Sequence, residues 1–221
     1  MVFIRVCNSK KFLLYQSYID GDIIDFKKLI KNGENVNCIC PNGRSLLSNI
    51  VSNTARRKES VNREYFNELM LSNVHFGAIG SEYSILKLAI CNRKSIYYLE
   101  KLLDYNIEIS SHAEQTTYQN IMRKPGSLIY YALTTGDLDK IKLILKHVRP
   151  VDMSDVNGDS IMIHAVKELN SAALLEVMPL LIELGGDIMN VGVCDKNCMD
   201  WAKALHRNER VFEFLKQKGL R

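Results

Sequence analysis

The feature that most constrains this chain is a helical phrase that occurs twice with the same internal break. Segments 12–37 and 127–146 can be laid over each other without a gap, so that Gly21 falls on Gly136. In each segment a Gly-Asp step separates two amphipathic stretches. Because glycine readily ends a helix and aspartate caps the next one, the pattern predicts pairs of short helices joined by tight turns.

The same register extends over the whole chain. The start of a first helix recurs six times, each time followed by two apolar or small residues, at Phe12, Ser45, Ser84, Ser127, Ser160 and Asn197. We therefore expect a single domain over 1–221, divided into approximate repeats 8–37, 38–74, 75–110, 111–153, 154–190 and 191–221. Uneven spacing predicts inserted loops, one at Thr54–Asn62 and another around Ser110–Lys124.

Each helix pair carries more apolar surface than it can bury alone. In the fourth repeat, for example, Leu138, Ile141 and Leu143 lie on different faces of one predicted helix. Stacking against both neighbouring repeats would cover these faces. The sequence therefore predicts an all-α fold built from stacked helix pairs.

Two kinds of short motif carry a resemblance to a known family. The stretches Asn42–Leu47 (NGRSLL) and Asn157–Met162 (NGDSIM) look like a turn followed by a Thr-Pro-Leu opening, and Asn32–Asn37 and Leu184–Met189 look like a Gly-Ala-Asp-Val-Asn ending. The chain thus resembles the ankyrin repeat family, which implies an all-α solenoid of stacked helix-turn-helix units.

The chain also departs from that family. The proline of the opening is absent throughout, and its histidine is replaced by Ser48, Lys87, Tyr130, Ile163 and Asp200. In the family this histidine belongs to a hydrogen-bonding brace between neighbouring repeats. We therefore expect a less regular and less stable stack.

The composition indicates which cell compartment and which kind of partner to expect. Charged residues of mixed sign make up 24% of the chain and leave a formal net charge of only +4, so nucleic acid is not an expected partner. The most apolar stretch, Ala172–Leu184, is interrupted by Glu176 and Pro179 and does not predict a membrane span. A chain of this size does not need disulfides, and we expect six reduced cysteines in a cytoplasmic protein.

A calcium site is the first chemistry to consider. Asp155, Asn157 and Asp159 alternate like the start of a calcium-binding loop, but the required glycine is displaced to Gly158 and Val166 occupies the glutamate position. We interpret the segment as a turn between repeats.

No other pattern predicts an active site. Cys38 and Cys40, like Cys194 and Cys198, have no nearby histidine to complete a zinc site. His164 lies on a predicted inner helix, where we expect a packed or capping role. Glycine-rich phosphate loops, nucleophile elbows and HExxH helices are missing from the sequence. We expect no catalytic residue, cofactor or metal.

The densest basic cluster comprises Arg56, Arg57, Lys58 and Arg63. We interpret it as a solvated loop, with an acidic protein surface or phosphates as the alternative contact. No aromatic residue interleaves it as a binder of single-stranded nucleic acid would need.

The resemblance implies a binding surface for another protein. In that family the partner lies in a concave groove formed by turn tips and by outward positions of the first helices. Carried over in register, the candidates are Arg44, Ser52, Asn53, Tyr83, Asn92, Arg123, Lys124, Thr134, Thr135, Asn157, Asp159, Lys167, Glu168 and Lys196. Arg and Tyr would be the anchors.

Three functions remain open from the sequence. The first is a protein-binding module, monomeric alone, that neutralises or scaffolds one partner, for example a microbial immunity protein masking a toxin. The second is a viral or bacterial effector that engages a host protein, and the third is an enzyme subunit. If the groove binds the partner, Arg44→Glu with Lys167→Glu should weaken the complex without unfolding the chain.

Overall fold

The computed structural model describes residues 12–72, 74, 85–92, 95–105, 128–147 and 158–221. These residues form twelve α-helices and no β-strand, with one isolated bridge between Ile39 and Ser45. The predicted all-α fold is confirmed. None of the helices in this part of the chain is long and apolar enough to cross a membrane.

The chain divides into two compact units, residues 1–95 and 96–221. In the first unit the described helices are α1 (Leu13–Asp20), α2 (Ile23–Lys31), α3 (Leu46–Val51), α4 (Glu59–Met70) and α5 (Ile85–Cys91). In the second they are α6 (Tyr97–Asp104), α7 (Leu128–Thr135), α8 (Leu138–Leu145), α9 (Ile161–Glu168), α10 (Ser171–Glu183), α11 (Cys198–Ala204) and α12 (Glu209–Gln217).

The Gly-Asp steps form helix junctions in both units. Gly21 follows α1 with a φ of 86°, and Gly136 follows α7 with a φ of 66°. The next residues, Asp22 and Asp137, accept hydrogen bonds from the backbone N–H groups of the first turns of α2 and α8. A left-handed residue followed by a capping carboxylate thus reverses the chain, as the sequence predicts.

Predicted helix starts are also occupied by capping side chains. Ser45 caps α3 and Ser160 caps α9, each by accepting a backbone N–H in the first turn. Asn197 caps α11 in a reciprocal capping box with Asp200. Phe12 precedes α1 without a side-chain cap, and Ser84 and Ser127 lie outside the described residues.

The core of the first unit contains an aromatic cluster. Helix α1 packs on α2, α3 on α4 and α5, and α2 on α4. Tyr18 and Phe26 each meet the ring of Tyr65 edge to face, with ring centroids 5.3 and 5.0 Å apart respectively. All three side chains are fully buried, so these rings join α1, α2 and α4.

In the second unit α9 is covered on both faces. It contacts α7, α10 and α11, and every residue from Ile161 to Val166 is buried. His164 packs its ring edge to face on Tyr130 with centroids 4.7 Å apart, as its predicted packing role requires. Burial on two faces is the reason why such helix pairs stack.

One predicted loop is shorter than expected. The polar stretch Thr54–Asn62 was predicted as an exposed loop, but its last four residues belong to α4. Asn62 is fully buried, where its amide donates to the carbonyl of Ile50 at 2.7 Å and accepts from the Tyr18 hydroxyl at 3.1 Å. The polar side chain of Asn62 thus belongs to an internal hydrogen-bond network. The second predicted loop, 110–124, lies outside the described residues.

Candidate protein-binding surface

The turn tips before α3 and α11 share one geometry. The N–H of Cys40 donates to the carbonyl of Arg44 at 2.8 Å, and the N–H of Gly192 donates to the carbonyl of Lys196 at 3.0 Å. Arg44 and Lys196 therefore end equivalent turns and directly precede the residue that caps the helix. Both side chains are half-buried.

The residue at the same place before α9, Asp159, lies inside. Its side chain is 2% exposed, and its Oδ2 accepts a hydrogen bond from the Nζ of Lys167 at 2.7 Å. The other carboxylate oxygen lies against Gly192, where an added Cβ would come within 2.0 Å of it. Gly192 leaves room for this carboxylate, so Asp159 and Lys167 form an inner ion pair.

A tryptophan joins this ion pair to the neighbouring turn. The Nζ of Lys167 lies 4.2 Å from the ring centroid of Trp201, and the Nζ of Lys196 lies 4.9 Å from it. Ammonium groups at this range are attracted to the indole quadrupole. We call Asp159, Lys167, Lys196 and Trp201 the Trp201 cluster. The structure thus brings three of the predicted site residues together around a fourth residue that the sequence reasoning missed.

The indole N–H of Trp201 is buried and meets no acceptor within the described part of the chain. A buried donor without an acceptor costs about 1–3 kcal/mol relative to a satisfied one. The Trp201 cluster therefore combines two cations and an aromatic ring from α9, α11 and the turn that precedes α11.

The basic cluster of Arg56, Arg57, Lys58 and Arg63 is only partly solvated, which corrects its interpretation as a solvated loop. Arg63 belongs to α4, and its Nε donates to the carboxylate of Glu59 at 3.1 Å. Arg56 and Lys58 are exposed. The Nε and Nη2 atoms of Arg57 both donate to the carbonyl of Tyr18, and Nη2 also donates to that of Ile19 at 2.7 Å. An added Cβ at Gly21 would lie 2.5 Å from this guanidinium. Arg57 thus caps the end of α1.

Two other side chains brace the end of a preceding first helix in the same way. The amide of Asn92 donates to the carbonyl of Val51, the last residue of α3, at 2.8 Å. The guanidinium of Arg207 donates to the carbonyl of Val166 near the end of α9 at 2.5 Å. These polar side chains satisfy helix-end carbonyls between successive helix pairs.

Several predicted site residues are held by internal hydrogen bonds. Asn53 is 8% exposed, and its amide bonds both the N–H and the carbonyl of Arg57. The Thr134 and Thr135 hydroxyls donate to carbonyls of their own helix. Ser52 is half-buried, and Glu168 is exposed at the end of α9. Tyr83, Arg123, Lys124 and Asn157 lie outside the described residues.

The cysteines differ sharply in their surroundings. The five described cysteines are free thiols, and the described residues contain no group of three or more metal-ligating side chains. Hydrogen bonding to Cys40 lowers the pKa of the half-buried Cys38. Burial, together with the negative charges of Asp187 and Asp159, raises the pKa of Cys198 to about 12. Cys38 is therefore the more readily ionised thiol.

No protein-family model matches this sequence, and no curated protein matches it either. The folded chain is nevertheless similar to solved structures. It matches an ankyrin repeat domain from Acinetobacter baumannii with a TM-score of 0.70 and 14% identity, over 93% of this chain and 96% of that one. A second ankyrin repeat protein matches with a TM-score of 0.68 and 18% identity, over 88% and 92% of the two chains.

A third similarity is to a chain in the structure of a predatory endopeptidase from Bdellovibrio bacteriovorus in complex with an immunity protein. The TM-score is 0.67 and the identity 16%, over 93% of this chain and 97% of that one. At identities this low, the structural similarity establishes the fold alone.

Proposed function

The chain has the ankyrin-repeat fold, and from this premise we propose that it is a protein-binding module without enzymatic activity that neutralises or scaffolds one partner protein. The proposal places the partner on turn tips and the adjoining ends of first helices. The observation that carries it is the Trp201 cluster, because tryptophan is enriched in binding hot spots and this one is half-buried between two lysines.

Within this class, neutralisation is favoured over scaffolding by one comparison. The chain in the endopeptidase and immunity protein structure is matched over almost its full length. By analogy with the immunity protein named there, this chain would bind an enzyme or toxin of the same cell and block it. A monomeric state and a cytoplasmic location fit this proposal.

The decisive experiment is purification of the tagged full-length chain from its source cell, followed by light scattering of the complex and an activity assay of the captured protein. We expect one dominant partner at 1:1 stoichiometry whose activity falls when the chain is added. A partner that binds but stays active would favour scaffolding. Absence of any stoichiometric partner would overturn the proposed function.

The binding surface can be tested on the same complex. The sequence-based pair Arg44→Glu with Lys167→Glu is unsuitable, because a glutamate at 167 would face the buried carboxylate of Asp159 and destabilise α9. Lys196→Glu keeps that ion pair intact. We expect it to weaken the complex about tenfold in a calorimetric titration, while Lys216→Glu on the exposed face of α12 leaves the affinity unchanged.

A further inference from the structure

Trp201 is the only tryptophan of the chain, and the hydrogen-bonding capacity of its indole N–H is unused within the described residues. Its N–H is buried and has no acceptor among the residues that the structure describes. The hydroxyl of Tyr65 shares this property but belongs to a fully buried side chain, beyond the reach of a partner. The side chain of Trp201 is only half-buried, so an incoming group can reach its ring.

Lys196 is the unpaired cation beside this ring. It forms no ion pair within the described residues, and its ammonium is held 4.9 Å from the indole centroid. By contrast, Lys167 is already committed to the carboxylate of Asp159. The charge of Lys167 is therefore neutralised, whereas the positive charge of Lys196 can attract an approaching anion.

The turn that carries Lys196 has an unusual backbone. Cys194 and Asp195 are not glycines, yet their φ values of 59° and 53° lie in the left-handed region. The equivalent turn in the first unit places Gly43 in the left-handed region with a φ of 75°. Such conformations cost about 1–3 kcal/mol each when side chains occupy them. The two residues that directly precede Lys196 in the turn therefore carry a conformational cost.

We infer that the Trp201 cluster is the docking point for an acidic peptide segment of the partner, an inference that rests on the proposed function. A carboxylate of that segment pairs with the ammonium of Lys196, and a neighbouring apolar side chain covers the indole face. Movement of the Lys196 ammonium toward the carboxylate uncovers the ring, so that charge pairing and aromatic packing occur together.

The test uses a phage-displayed library of random 12-residue peptides, selected on the full-length protein and counter-selected on the Lys196→Gln variant. We expect the retained sequences to be enriched in Asp and Glu. Because the chain has one tryptophan, its fluorescence reports this site alone, and synthetic acidic peptides should change the emission saturably.

Three variants sharpen the result. Lys196→Gln should weaken peptide binding about five- to tenfold, Lys196→Arg should restore it, and Lys216→Gln, which removes an exposed lysine from α12, should have no effect. Peptides without acidic enrichment, an unchanged affinity in Lys196→Gln, or failure to enrich any peptide would each overturn the inference. These outcomes leave the proposed function standing if the natural partner still co-purifies, whereas loss of that partner refutes both.

Discussion

Helix α3 of the first unit and helix α11 of the second differ at an equivalent position, four residues after the capping residue. In the first unit this position is Asn49, which is fully buried, accepts a hydrogen bond from the amide of Asn42 at 2.6 Å and donates one to the carbonyl of Ser45 at 3.0 Å. In the second unit it is Trp201, whose ring lies beside two lysines and whose N–H has no acceptor in the described structure.

This difference separates stability from recognition within one architecture. The amides of the first unit use their hydrogen-bonding capacity inside the molecule, where it fixes helix ends and a loop. The Trp201 cluster keeps a half-buried aromatic ring and the ammonium group of Lys196 accessible. Helix pairs of the same design thus serve the fold in one region and, in our proposal, a partner in the other.

The largest effect is expected from Arg57→Met in the first unit. This change removes the guanidinium that binds the carbonyls of Tyr18 and Ile19, and methionine keeps much of the side-chain volume. Hydrogen bonds from a charged donor are worth about 1.5–3 kcal/mol each, and the guanidinium is partly exposed, so we expect a loss of about 3 kcal/mol in the free energy of unfolding. Urea titration followed by circular dichroism measures it.

Arg56→Met is the matched control for this prediction. Arg56 lies next to Arg57 in the same loop, but its side chain is exposed. We expect the control to change the free energy of unfolding by less than about 0.5 kcal/mol. If the two variants were equally stable, the role of Arg57 as a helix-end brace would be refuted.

A smaller effect is expected from Arg207→Met in the second unit. The guanidinium binds the carbonyl of Val166, but its Nε is buried without an acceptor in the described structure, and burial lowers the pKa of this arginine. Desolvation of the charge therefore offsets part of the hydrogen-bond gain. We expect a loss of about 1 kcal/mol, measured by urea titration. A loss as large as that of Arg57→Met would show that the two braces are energetically equal.

The sequence allows prediction of those features that depend on local chemistry. Gly21 and Asp22, and likewise Ser160 and Asn197, act on backbone groups within a few residues of themselves. Their type and spacing are therefore sufficient to predict helix ends. The ankyrin-repeat fold follows from these signals once their period is recognised.

The binding surface could be predicted only in part, because its residues act over long separations. Arg57 binds a carbonyl 39 residues earlier in the chain, and no local pattern distinguishes it from the exposed Arg56. Asn53 occupies a surface position in the family register but is buried by the loop that follows it. Trp201 could have been noticed from the sequence as the sole tryptophan, at a first-helix position. That two lysines lie beside its ring is visible only in the structure.

The two units also differ in the expected reactivity of their thiols. In the first unit, hydrogen bonding to Cys40 lowers the pKa of the half-buried Cys38; in the second, the pKa of the fully buried Cys198 is raised to about 12. Since the thiolate is the reactive form, iodoacetamide at pH 8 should label Cys38 at least about 100-fold faster than Cys198, as measured by peptide mass spectrometry. Cys40→Ala should slow labelling of Cys38, and an unchanged rate in that variant would contradict the role of the Cys40 thiol.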